Sequence, residues 1–586
     1  MNKTEETKTG KIYPYLQAIP DIIEYQTISG AILGILIFML EFLFTFLLKS
    51  ANKVALTSSD LAFLFTSWQG LLMINLGLLS IILYVIFELN GLVSLTGRML
   101  DGERKIVIPS IKDGALAIKK YFSTNGLIVV LFIALIVPLI GIGLSISVTK
   151  NFYIPTFISS VIKTTPLYNA IYIVVIVIAT IAAFIYSFTV HGVMLDSMEV
   201  NVSMTKSRKM VVDNWKSFLG HNLRFFLVSG LYVLSIIFVA IAVSMIILFI
   251  GEGEQYLRIS AIVGCLLWSL LFAQFTALVQ PLLIMKLTRL YRQYENNEEV
   301  RYPIRAKKRH PIMVLLIIVI IGAVIGFTYI FNNYFDEIFI SKKMPNIIAH
   351  RAGGNEGNEN TIGGVLKAVE LGAYGSEIDV QRTKDGHYVI NHDATFERVA
   401  GVNKKPEEMT LNEIKELRVG GESVATIEEM LDTSHEKIVL FVELKGNSAD
   451  NKMADDMVRM IKERNMQDEV VLISLKYDLI DYIEDTYTDI QTGYLTFVTF
   501  GDISKLNCDY IGLEEESATS RNIESIHDNN KKVLVWTVNT KESQQYFLKT
   551  SVDGIITDNV SQAKEAINEY KNRSDIDIIF DSLLFD

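Results

Sequence analysis

The chain contains 586 residues, which is too long for one ordinary domain. Half of the residues are hydrophobic and only 20% are charged, a composition that is unusual for a soluble protein. Residues 1–340 carry 27 basic and 20 acidic side chains, a net charge of +7, whereas residues 341–586 carry 27 and 45, a net charge of −18. A C-terminal half this acidic argues against nucleic acid as a partner. The two cysteines, Cys265 and Cys508, are too few for a disulfide framework.

The N-terminal half contains seven apolar runs that are long enough to cross a bilayer, which takes about 20 residues. The runs are, approximately, Ile28–Leu48, Gly70–Leu95, Gly126–Val148, Tyr168–Leu195, Phe225–Ile250, Ile259–Leu287 and Pro311–Phe331. A single run of this kind is compatible with a buried helix of a soluble protein, but seven in succession are not. Residues 1–340 are therefore predicted to form a multi-pass α-helical membrane domain of about seven transmembrane helices.

The basic residues of this half predict its orientation. Lys and Arg are concentrated in the loops after the second, fourth and sixth runs and are sparse in the alternate loops. Loops rich in Lys and Arg stay in the cytoplasm. Because the loops after the second, fourth and sixth runs are the basic ones, the N terminus is predicted to be cytoplasmic as well. The first 17 residues lack the apolar core and cleavage site of a secretory signal, so no cleavable signal peptide is predicted. Seven crossings then place the C-terminal half on the extracytoplasmic side.

Glu41, Glu88 and His191 are ionisable residues within the apolar runs. Such residues in a membrane often take part in transport or lipid handling, whereas those near the end of a run can extend to the interface. Both interpretations stay open. The segments Ile106–Tyr121 and Met204–Asn214 have the pattern of amphipathic helices whose basic faces would meet anionic headgroups.

After a short linker, residues 341–345, strand-like runs alternate with helical patterns. Three of these runs, Asn346–Ala349, Tyr374–Ser376 and Tyr388–Asn391, lead into His350-Arg351, Glu377-Ile378-Asp379 and His392-Asp393, respectively. Apolar side chains between residues 361 and 371 repeat at helical spacing. Polar residues at the ends of strands in a strand, helix, strand order are typical of an α/β barrel, whose active sites are built there.

Later strands are predicted at Val470–Leu475, Gln491–Phe497, Tyr510–Leu513 and Lys532–Val538. The acidic run of residues 514–516 directly follows one of them. It is interpreted as a solvated loop, although one of its three glutamates is able to face the site.

Glu377 and Asp379 are two residues apart on a predicted strand, so their carboxylates point to the same face. Two carboxylates at this separation repel each other unless one is protonated or a cation lies between them, and hard oxygen ligands suit Mg²⁺ or Ca²⁺. An isolated pair of this kind is more often a solvated strand face. His350 and His392 favour a site here, because paired histidines suit acid and base catalysis near neutral pH. Arg351 adds a planar group for a phosphate.

Glu443 follows the largely apolar strand Lys437–Val442, where that strand would reach the mouth of a barrel. From this position alone, a strand end that returns to water and a carboxylate of the site are equally good interpretations. A phosphodiester reaction needs charge stabilisation at the phosphoryl group, which one bound cation can supply.

Together these residues resemble the glycerophosphodiester phosphodiesterases, a family of TIM-barrel enzymes. The matching segments are His350-Arg351, Glu359-Asn360-Thr361, Glu377-Ile378-Asp379, His392-Asp393, Thr426-Ile427-Glu428-Glu429, Glu443-Leu444-Lys445, Trp536-Thr537-Val538-Asn539 and Gly554-Ile555-Ile556-Thr557-Asp558. Their order and spacing fit over about 220 residues, from about Pro345 to Tyr570. The chain departs from the family in having HRAGG at residues 350–354, where HRG is more frequent. The multi-pass region followed by the barrel resembles the membrane-domain branch of Gram-positive bacteria.

The resemblance implies roles for the residues at the strand ends. His350 and His392 would be the acid and base pair. Glu377, Asp379 and Glu443 would hold one divalent cation, Mg²⁺ or Ca²⁺.

The resemblance also implies how the substrate is held. Arg351 and Lys445 would bind phosphate oxygens, Trp536 would pack on the glycerol side, and Glu359 would help to shape the site. The family's expected route starts with attack of the glycerol 2-hydroxyl on phosphorus, giving a cyclic phosphate that water then opens. Direct attack by water fits this sequence equally well.

The sequence thus predicts a transmembrane domain at residues 1–340, a phosphodiesterase TIM barrel at residues 345–570 and a tail at residues 571–586, interpreted as a surface extension. The predicted enzyme hydrolyses a glycerophosphodiester to sn-glycerol 3-phosphate and an alcohol. Membrane lipids are the expected partners, and the expected substrates are deacylated phospholipid headgroups or glycerol-phosphate polymers and lipid-linked diesters. Two alternatives stay open: phospholipase D-like cleavage of lysophospholipids, and a non-catalytic transporter or sensor with a binding barrel.

Overall fold

The computed structural model describes residues 13–122, 165–298, 311–339 and 343–584, together with the single residues 162, 300 and 303. Within these ranges, the first 339 residues are almost entirely helical, whereas residues 346–571 alternate between strands and helices. The change occurs where the net charge of the sequence changes from positive to negative. A membrane-type half therefore precedes an α/β half, as predicted.

The N-terminal half consists mainly of long helices. They are α1 (Tyr13–Ser50), α2 (Leu61–Thr66), α3 (Trp68–Leu100), α4 (Val107–Ala117), α5 (Pro166–Ile185), α6 (Thr189–Leu195), α7 (Val200–Asp213), α8 (Trp215–Ile250), α9 (Glu254–Asn296), α10 (Pro311–Asn333) and α11 (Phe335–Phe339). One short strand, β1 (Ala55–Thr57), lies in the loop between α1 and α2. Helices α4 and α7 lie where the sequence predicts amphipathic segments.

Within the described residues, five stretches are long and apolar enough to cross a membrane: Gln17–Ser50, Trp68–Leu100, Pro166–Leu195, Trp215–Ile250 and Glu254–Asn296. They correspond to the predicted first, second, fourth, fifth and sixth runs. The predicted third run, Gly126–Val148, lies outside the described residues, and the seventh corresponds to α10. Large apolar side chains such as Phe42 and Phe249 are exposed, as expected for helices that face lipid. The prediction of a multi-pass helical domain is confirmed.

The C-terminal half is an eight-stranded parallel barrel with additional short strands. The strands are β2 (Asn346–Ala349), β3 (Gly375–Arg382), β4 (Tyr388–Ile390), β5 (Arg418–Val419), β6 (Glu422–Ser423), β7 (Val439–Leu444), β8 (Val470–Ser474), β9 (Gln491–Thr496), β10 (Thr499–Gly501), β11 (Tyr510–Glu514), β12 (Lys532–Trp536) and β13 (Gly554–Thr557). Parallel pairing follows the order β2, β3, β7, β8, β9, β11, β12, β13 and closes from β13 to β2. β4 extends β3 as an antiparallel arm, and β10 pairs with β1 of the membrane half. This is the predicted TIM barrel.

The helices of this half are α12 (Ile362–Glu370), α13 (Glu397–Ala400), α14 (Leu411–Lys415), α15 (Ile427–Ser434), α16 (Asn451–Glu463), α17 (Tyr477–Thr486), α18 (Ser520–Asp528), α19 (Lys541–Phe547), α20 (Val560–Lys571) and α21 (Asp575–Leu584). Several begin at a capping side chain. Thr361, Thr426 and Asp450 accept backbone N–H groups from the first turns of α12, α15 and α16, which satisfies donors that the helix itself cannot.

Alternation along the strands divides the barrel core into two layers. Ile348, Phe441, Leu534 and Ile556 belong to a buried cluster inside the barrel, and the larger cluster lies between the strands and the surrounding helices. Because side chains alternate along a strand, Glu443 lies on the same face of β7 as Phe441 and points into the barrel above it. The site residues of β3 and β7 therefore converge at one end of the barrel.

The C-terminal tail differs from the predicted surface extension. Helix α21 packs against α9 and α11, and Ile578 and Ile579 are buried in a cluster with Ile262 and Phe335. The isoleucines of the tail alternate with acids at a spacing that gives a helix one apolar face. That face is covered by the membrane half, which the sequence pattern alone does not reveal.

Candidate active site

Three carboxylates converge at the end of the barrel where the parallel strands terminate. Glu377 and Asp379 come from β3 and Glu443 from β7, and one oxygen of each lies within 4.8 Å of the others. Asp379 and Glu443 are direct neighbours across the two strands. All three side chains are buried. The predicted pairing of Glu377 and Asp379 on one strand face therefore extends to a third acid from the next strand.

Lys445 is the cation next to this cluster. Its Nζ donates hydrogen bonds to Asp379 Oδ1 at 2.9 Å and to Glu443 Oε2 at 3.0 Å. Burial alone would lower the pKa of Lys445, but the carboxylates of Asp379, Glu443 and Glu377 raise it above its ordinary value. Lys445 is thus held in the charged form by the acids that it neutralises.

The three acids differ in how strongly each is held as an anion. Burial raises the pKa of Glu377 well above its ordinary value, and the charges of Asp379 and Glu443 raise it further. Burial also raises the pKa of Glu443 to about 7, in spite of Lys445. For Asp379 burial acts in the same direction, but Lys445 and a hydrogen bond from Asn360 Nδ2 (2.8 Å) keep its pKa below the ordinary value. Asp379 is therefore the acid of the cluster whose anionic form the surroundings favour most.

The residues present fit a divalent cation. Glu377 Oε1 is buried and has no hydrogen-bond partner among the residues that the structure describes. A buried carboxylate oxygen without a partner is costly, and one lysine compensates only part of the charge of three acids. An all-oxygen donor set of this kind is what Mg²⁺ and Ca²⁺ prefer. Glu377, Asp379 and Glu443 are thus the candidate ligands.

His350 is oriented by an acid from the last strand of the barrel. Its Nδ1 lies 2.7 Å from Asp558 Oδ1, and Asn539 Nδ2 donates to the other oxygen of Asp558. An Nδ1–H that donates to Asp558 leaves Nε2 free for chemistry. His350 Nε2 lies 4.0 Å from Glu377 Oε2. The ring therefore presents Nε2 at the edge of the carboxylate cluster.

His392 has a matching arrangement on the arm beside β3. Its Nδ1 lies 2.8 Å from Asp393 Oδ1, and its Nε2 lies 2.9 Å from Nη2 of Arg351. Because a guanidinium only donates, His392 Nε2 is the acceptor and the ring is neutral. Burial lowers the pKa of His392, and the charges of Lys445 and Arg351 lower it further against the opposing effect of Asp379. His392 is thus poised to accept a proton.

Arg351 links the two histidines to a surface ion-pair network. Its backbone N–H donates to Glu377 Oε2 at 2.8 Å, while Nη1 donates to Glu359 Oε1 at 3.1 Å. Arg398 holds Glu359 and Asp393 from the outside at 2.6 and 2.7 Å. Arg351 therefore lies between Glu359 and His392, and Glu359 positions the guanidinium of Arg351 rather than contacting the carboxylate cluster.

Trp536 and Glu514 lie at the same end of the barrel. Trp536 packs on the interior cluster, and its Nε1 donates to Gly512 O at 3.1 Å. Glu514 is paired with Trp536 across β11 and β12 and is almost fully buried. The interpretation of residue 514 as part of a solvated loop is wrong, because β11 extends to Glu514 and its side chain turns back to accept the N–H of Glu516.

The structure brings together His350, His392, Arg351, Lys445 and the three acids of the cluster. Sequence reasoning gave no role to Asp558, Asp393, Asn360 and Arg398, which orient these residues. A signal existed for the first two, because Asp558 follows the apolar strand Gly554–Thr557 and Asp393 is adjacent to His392. Asn360 lies in the loop before α12 and Arg398 in the short helix α13, and neither directly follows a strand or adjoins a histidine.

We expect Asp558→Asn to lower the turnover of a glycerophosphodiester by about tenfold or more, because an amide can hold the wrong tautomer of His350. The reaction's pH profile should change shape as well, which a purely structural role of Asp558 would not cause. Asp528→Asn, a change at the end of α18, is the matched control. An unchanged pH profile in Asp558→Asn would contradict the positioning role.

Family models match both halves of the chain. The model described as the glycerophosphoryl diester phosphodiesterase family matches residues 350–562. The model described as the membrane domain of glycerophosphoryl diester phosphodiesterase matches residues 19–330, more than half of the chain. The first match contains every candidate site residue, and the second contains the five membrane-spanning stretches of the described residues almost completely.

Individual relatives resemble the barrel. A glycerophosphodiester phosphodiesterase of Caldanaerobacter subterraneus is 31% identical over 231 residues, which cover 36% of this chain and 93% of the relative. A second glycerophosphodiester phosphodiesterase, from Bacillus altitudinis, is 25% identical over 251 residues, which cover 39% of this chain and 100% of the relative. The structure of an Oleispira antarctica phosphodiesterase in complex with the product sn-glycerol-3-phosphate is 22% identical, with a TM-score of 0.36, covering 38% of this chain and 97% of that one.

Proposed function

Because this chain belongs to the glycerophosphoryl diester phosphodiesterase family and carries its membrane domain, we propose that its barrel hydrolyses a glycerophosphodiester to sn-glycerol 3-phosphate and an alcohol. The observation that carries this proposal is the convergence of two histidines on one buried carboxylate cluster. His350 Nε2 lies 4.0 Å from Glu377 Oε2, and His392 Nε2 accepts a hydrogen bond from Arg351, whose backbone N–H donates to Glu377. A phosphodiester placed between them would have a proton acceptor and a proton donor within reach.

His392 is the proposed base and His350 the proposed acid. His392 Nε2 takes the proton of the attacking hydroxyl, and Asp393 keeps the ring in the tautomer that allows this. His350 Nε2 gives a proton to the oxygen of the leaving alcohol, with Nδ1 held by Asp558. The attacking hydroxyl is either the 2-hydroxyl of the substrate's glycerol or water.

Arg351 and Lys445 bind the phosphate in this proposal. Without substrate, Arg351 donates to His392 Nε2, so a bound phosphate would draw the guanidinium away and free the base. Lys445 shares the acidic cluster and would turn toward a phosphate oxygen. Trp536, at the end of β12, would pack on the glycerol part.

Glu377, Asp379 and Glu443 would hold the divalent cation, Mg²⁺ or Ca²⁺. When bound, a cation supplies positive charge against the negative charge that develops on the phosphoryl oxygens. The burial of the three acids excludes water from this charge and strengthens the interaction.

The test uses the full-length protein in detergent, freed of metal and incubated with glycerophosphoglycerol. Addition of Mg²⁺ or Ca²⁺ should start the release of glycerol 3-phosphate. The absence of release with either cation, over a panel of glycerophosphodiesters, would refute the proposed reaction. Release of a cyclic phosphate from lysophospholipids instead would support the phospholipase D-like alternative.

The pH dependence follows from His392. Its pKa lies below the ordinary value of 6.5, chiefly because the ring is buried. The base form is therefore present at neutral pH and is lost only as the pH falls through the lowered pKa. We expect the acidic limb of kcat/KM to lie below pH 6.5 and to move upward in Arg351→Gln, because one neighbouring positive charge that lowers this pKa is removed. A limb that stays in place would argue against His392 as the base.

We further propose that the N terminus is cytoplasmic and that the barrel lies on the extracytoplasmic side. The loop between α1 and α3 contacts the barrel, and the start of α9 contacts the tail helix α21. The distribution of Lys and Arg predicts that the loop between α1 and α3 and the start of α9 are both extracytoplasmic. Their contacts with the barrel half therefore support this orientation. A reporter that works only outside the cytoplasm should be active after Asp586 and inactive after Asp101. The reverse result would overturn the orientation.

A further inference from the structure

The loop between the first two membrane-spanning helices is docked on the mouth of the barrel. We call residues 51–67 the docking loop. Its strand β1 pairs antiparallel with β10, with Ala55 opposite Gly501, Leu56 opposite Phe500 and Thr57 opposite Thr499. β10 lies in the loop that follows β9, at the end of the barrel where the strands terminate. This is the end at which His350 and the carboxylate cluster are located.

Polar contacts extend the pairing into the barrel itself. The N–H of Ser58 donates to Thr496 Oγ1 at 3.2 Å, and the hydroxyl of Tyr494 donates to Ser59 Oγ at 3.2 Å. Thr496 is the last residue of β9. Ala55 is buried in the same cluster as the outer core of the barrel. The docking loop is therefore part of the folded barrel rather than a passing surface contact.

Phe500 connects this rim to the membrane half. It packs with Leu47, Leu48 and Leu56, and its ring meets that of Phe44 edge to face, with 5.6 Å between the ring centroids. Leu47 and Leu48 are the last apolar residues of α1. The mouth of the barrel thus reaches the ends of the two membrane spans Gln17–Ser50 and Trp68–Leu100.

The docking loop is also stabilised by contacts within itself. Lys53 forms an ion pair with Asp60, and Asp60 Oδ2 accepts the N–H and the hydroxyl of Thr57 at 2.9 and 2.8 Å. On the barrel side, Gly501 has a φ of +88°, and a Cβ there would lie 3.1 Å from Val54 O. A residue with a side chain would be strained at this position. Both partners are therefore shaped for the contact.

The level of the docking loop relative to lipid is marked by aromatic side chains. Trp68, at the start of α3, is 63% exposed, and Phe46 and Phe65 beside the loop are 61% and 67% exposed. Exposed Trp at the end of a membrane span is typical of the headgroup region. The mouth of the barrel thus lies beside the part of the membrane half that is expected at the depth of the lipid headgroups.

A second attachment limits rotation of the barrel. Arg258 near the start of α9 forms an ion pair with Asp575 of α21, and Ser269 Oγ donates to Leu583 O at 3.0 Å. Together with the docking loop, this fixes the barrel at two separate places on the membrane half.

We propose that the docking loop holds the catalytic mouth at the headgroup level, so that the barrel cleaves glycerol phosphate from a lipid that still lies in the bilayer. This inference rests on the proposed phosphodiesterase function and names its substrate class. Water adds across the P–O bond on the lipid side: its oxygen stays on the glycerol phosphate, and its proton goes to the lipid alcohol. A site fixed beside its substrate gains effective concentration without any new contact.

The test compares a dissolved and a membrane-bound diester on the full-length protein in phosphatidylcholine vesicles. The dissolved probe is glycerophosphoglycerol, and the membrane probe is phosphatidylglycerol included in the vesicles. Released glycerol phosphate is measured in both cases. We expect Phe500→Asp to lower release from phosphatidylglycerol by at least about tenfold and release from glycerophosphoglycerol by less than about twofold.

Leu366→Asp is the control for the added charge, because it places an acid at an apolar position of the same barrel, on α12 between β2 and β3 and away from the docking loop. It should change neither reaction. Equal losses on both probes in Phe500→Asp, or no loss on either, would overturn the inference, as would wild-type protein that cleaves only the dissolved probe. Wild-type protein that cleaves neither probe would instead refute the proposed function, and this inference with it.

A disulfide provides a second test that does not depend on disrupting the fold. Leu56 and Phe500 are antiparallel partners, whose Cα atoms lie about 4.5–5.5 Å apart in such pairs, within the range for a disulfide. Leu56→Cys with Phe500→Cys should cross-link in the membrane and keep its activity on phosphatidylglycerol, whereas Leu56→Cys alone should not cross-link. A double variant that fails to cross-link, or that loses lipid cleavage once cross-linked, would overturn the inference.

Discussion

Replacing His392 or His350 by alanine should lower the turnover of glycerophosphoglycerol by about 10²–10⁴-fold, which is the usual contribution of a general acid or base. The two losses should not multiply in the double variant, because proton removal and proton donation serve one reaction. Both rings sit in preformed contacts with Asp393 and Asp558, and their removal leaves the barrel strands intact. Release of glycerol 3-phosphate over time measures the effect.

His387→Ala is the control for both histidine variants. His387 is exposed in the hairpin between β3 and β4, and only its backbone is hydrogen-bonded to Thr383. This variant should keep wild-type turnover. A variant of His350 or His392 that retains more than about a tenth of the wild-type rate would remove that residue from the acid–base pair.

Glu443→Gln should abolish metal-dependent activity and change how stability depends on pH. A bound cation stabilises the transition state by several kcal/mol, and the loss of one of its three charged ligands weakens this stabilisation. Turnover should therefore fall at least about 100-fold. In metal-free protein, burial raises the pKa of Glu443 to about 7. This pKa lies above the value of 4.5 for a glutamate in the unfolded chain. The protonated side chain of Glu443 therefore stabilises the folded protein at low pH, and this stabilisation is lost as the pH rises through about 7.

The measurement is thermal unfolding of the barrel, followed by tryptophan fluorescence, with EDTA and then with Mg²⁺ or Ca²⁺. Wild-type protein in EDTA should lose stability as the pH rises from about 4.5 to about 7, and the cation should restore it. Glu443→Gln should be less sensitive to pH in EDTA and should gain little from the cation. Glu524→Gln, at an exposed position of α18, should behave as wild type. A full cation-induced rise in Tm in Glu443→Gln would exclude Glu443 as a ligand.

The two halves of the molecule are joined by more than the linker. The short strand β1 and the tail helix α21 each cross from one half to the other. A truncated barrel would lack β1, whose Ala55 is buried in the barrel's outer core. Experiments on lipid therefore require the whole chain, because the isolated barrel would expose the surface that the docking loop covers.

The sequence by itself determined the two-part architecture, because both of its signals are local. A run of about 20 apolar residues spans a bilayer whatever surrounds it, and polar residues at the ends of buried strands meet at one end of a barrel. His350, Glu377, Asp379 and His392 could be named as candidates on this basis, whereas for Glu443 the family resemblance was needed. The periodic pattern of residues 362–369 likewise predicted α12.

Tertiary structure alone decided which residues orient the site and which loop of the membrane half contacts the mouth of the barrel. Asp558 lies 208 positions from His350, and Thr496 lies 438 positions from Ser58. Neither pair has a local signature, because barrel closure and strand pairing bring together groups that no short-range periodicity relates. β1 consists only of Ala-Leu-Thr. These three residues form a strand because they pair with the edge of β10.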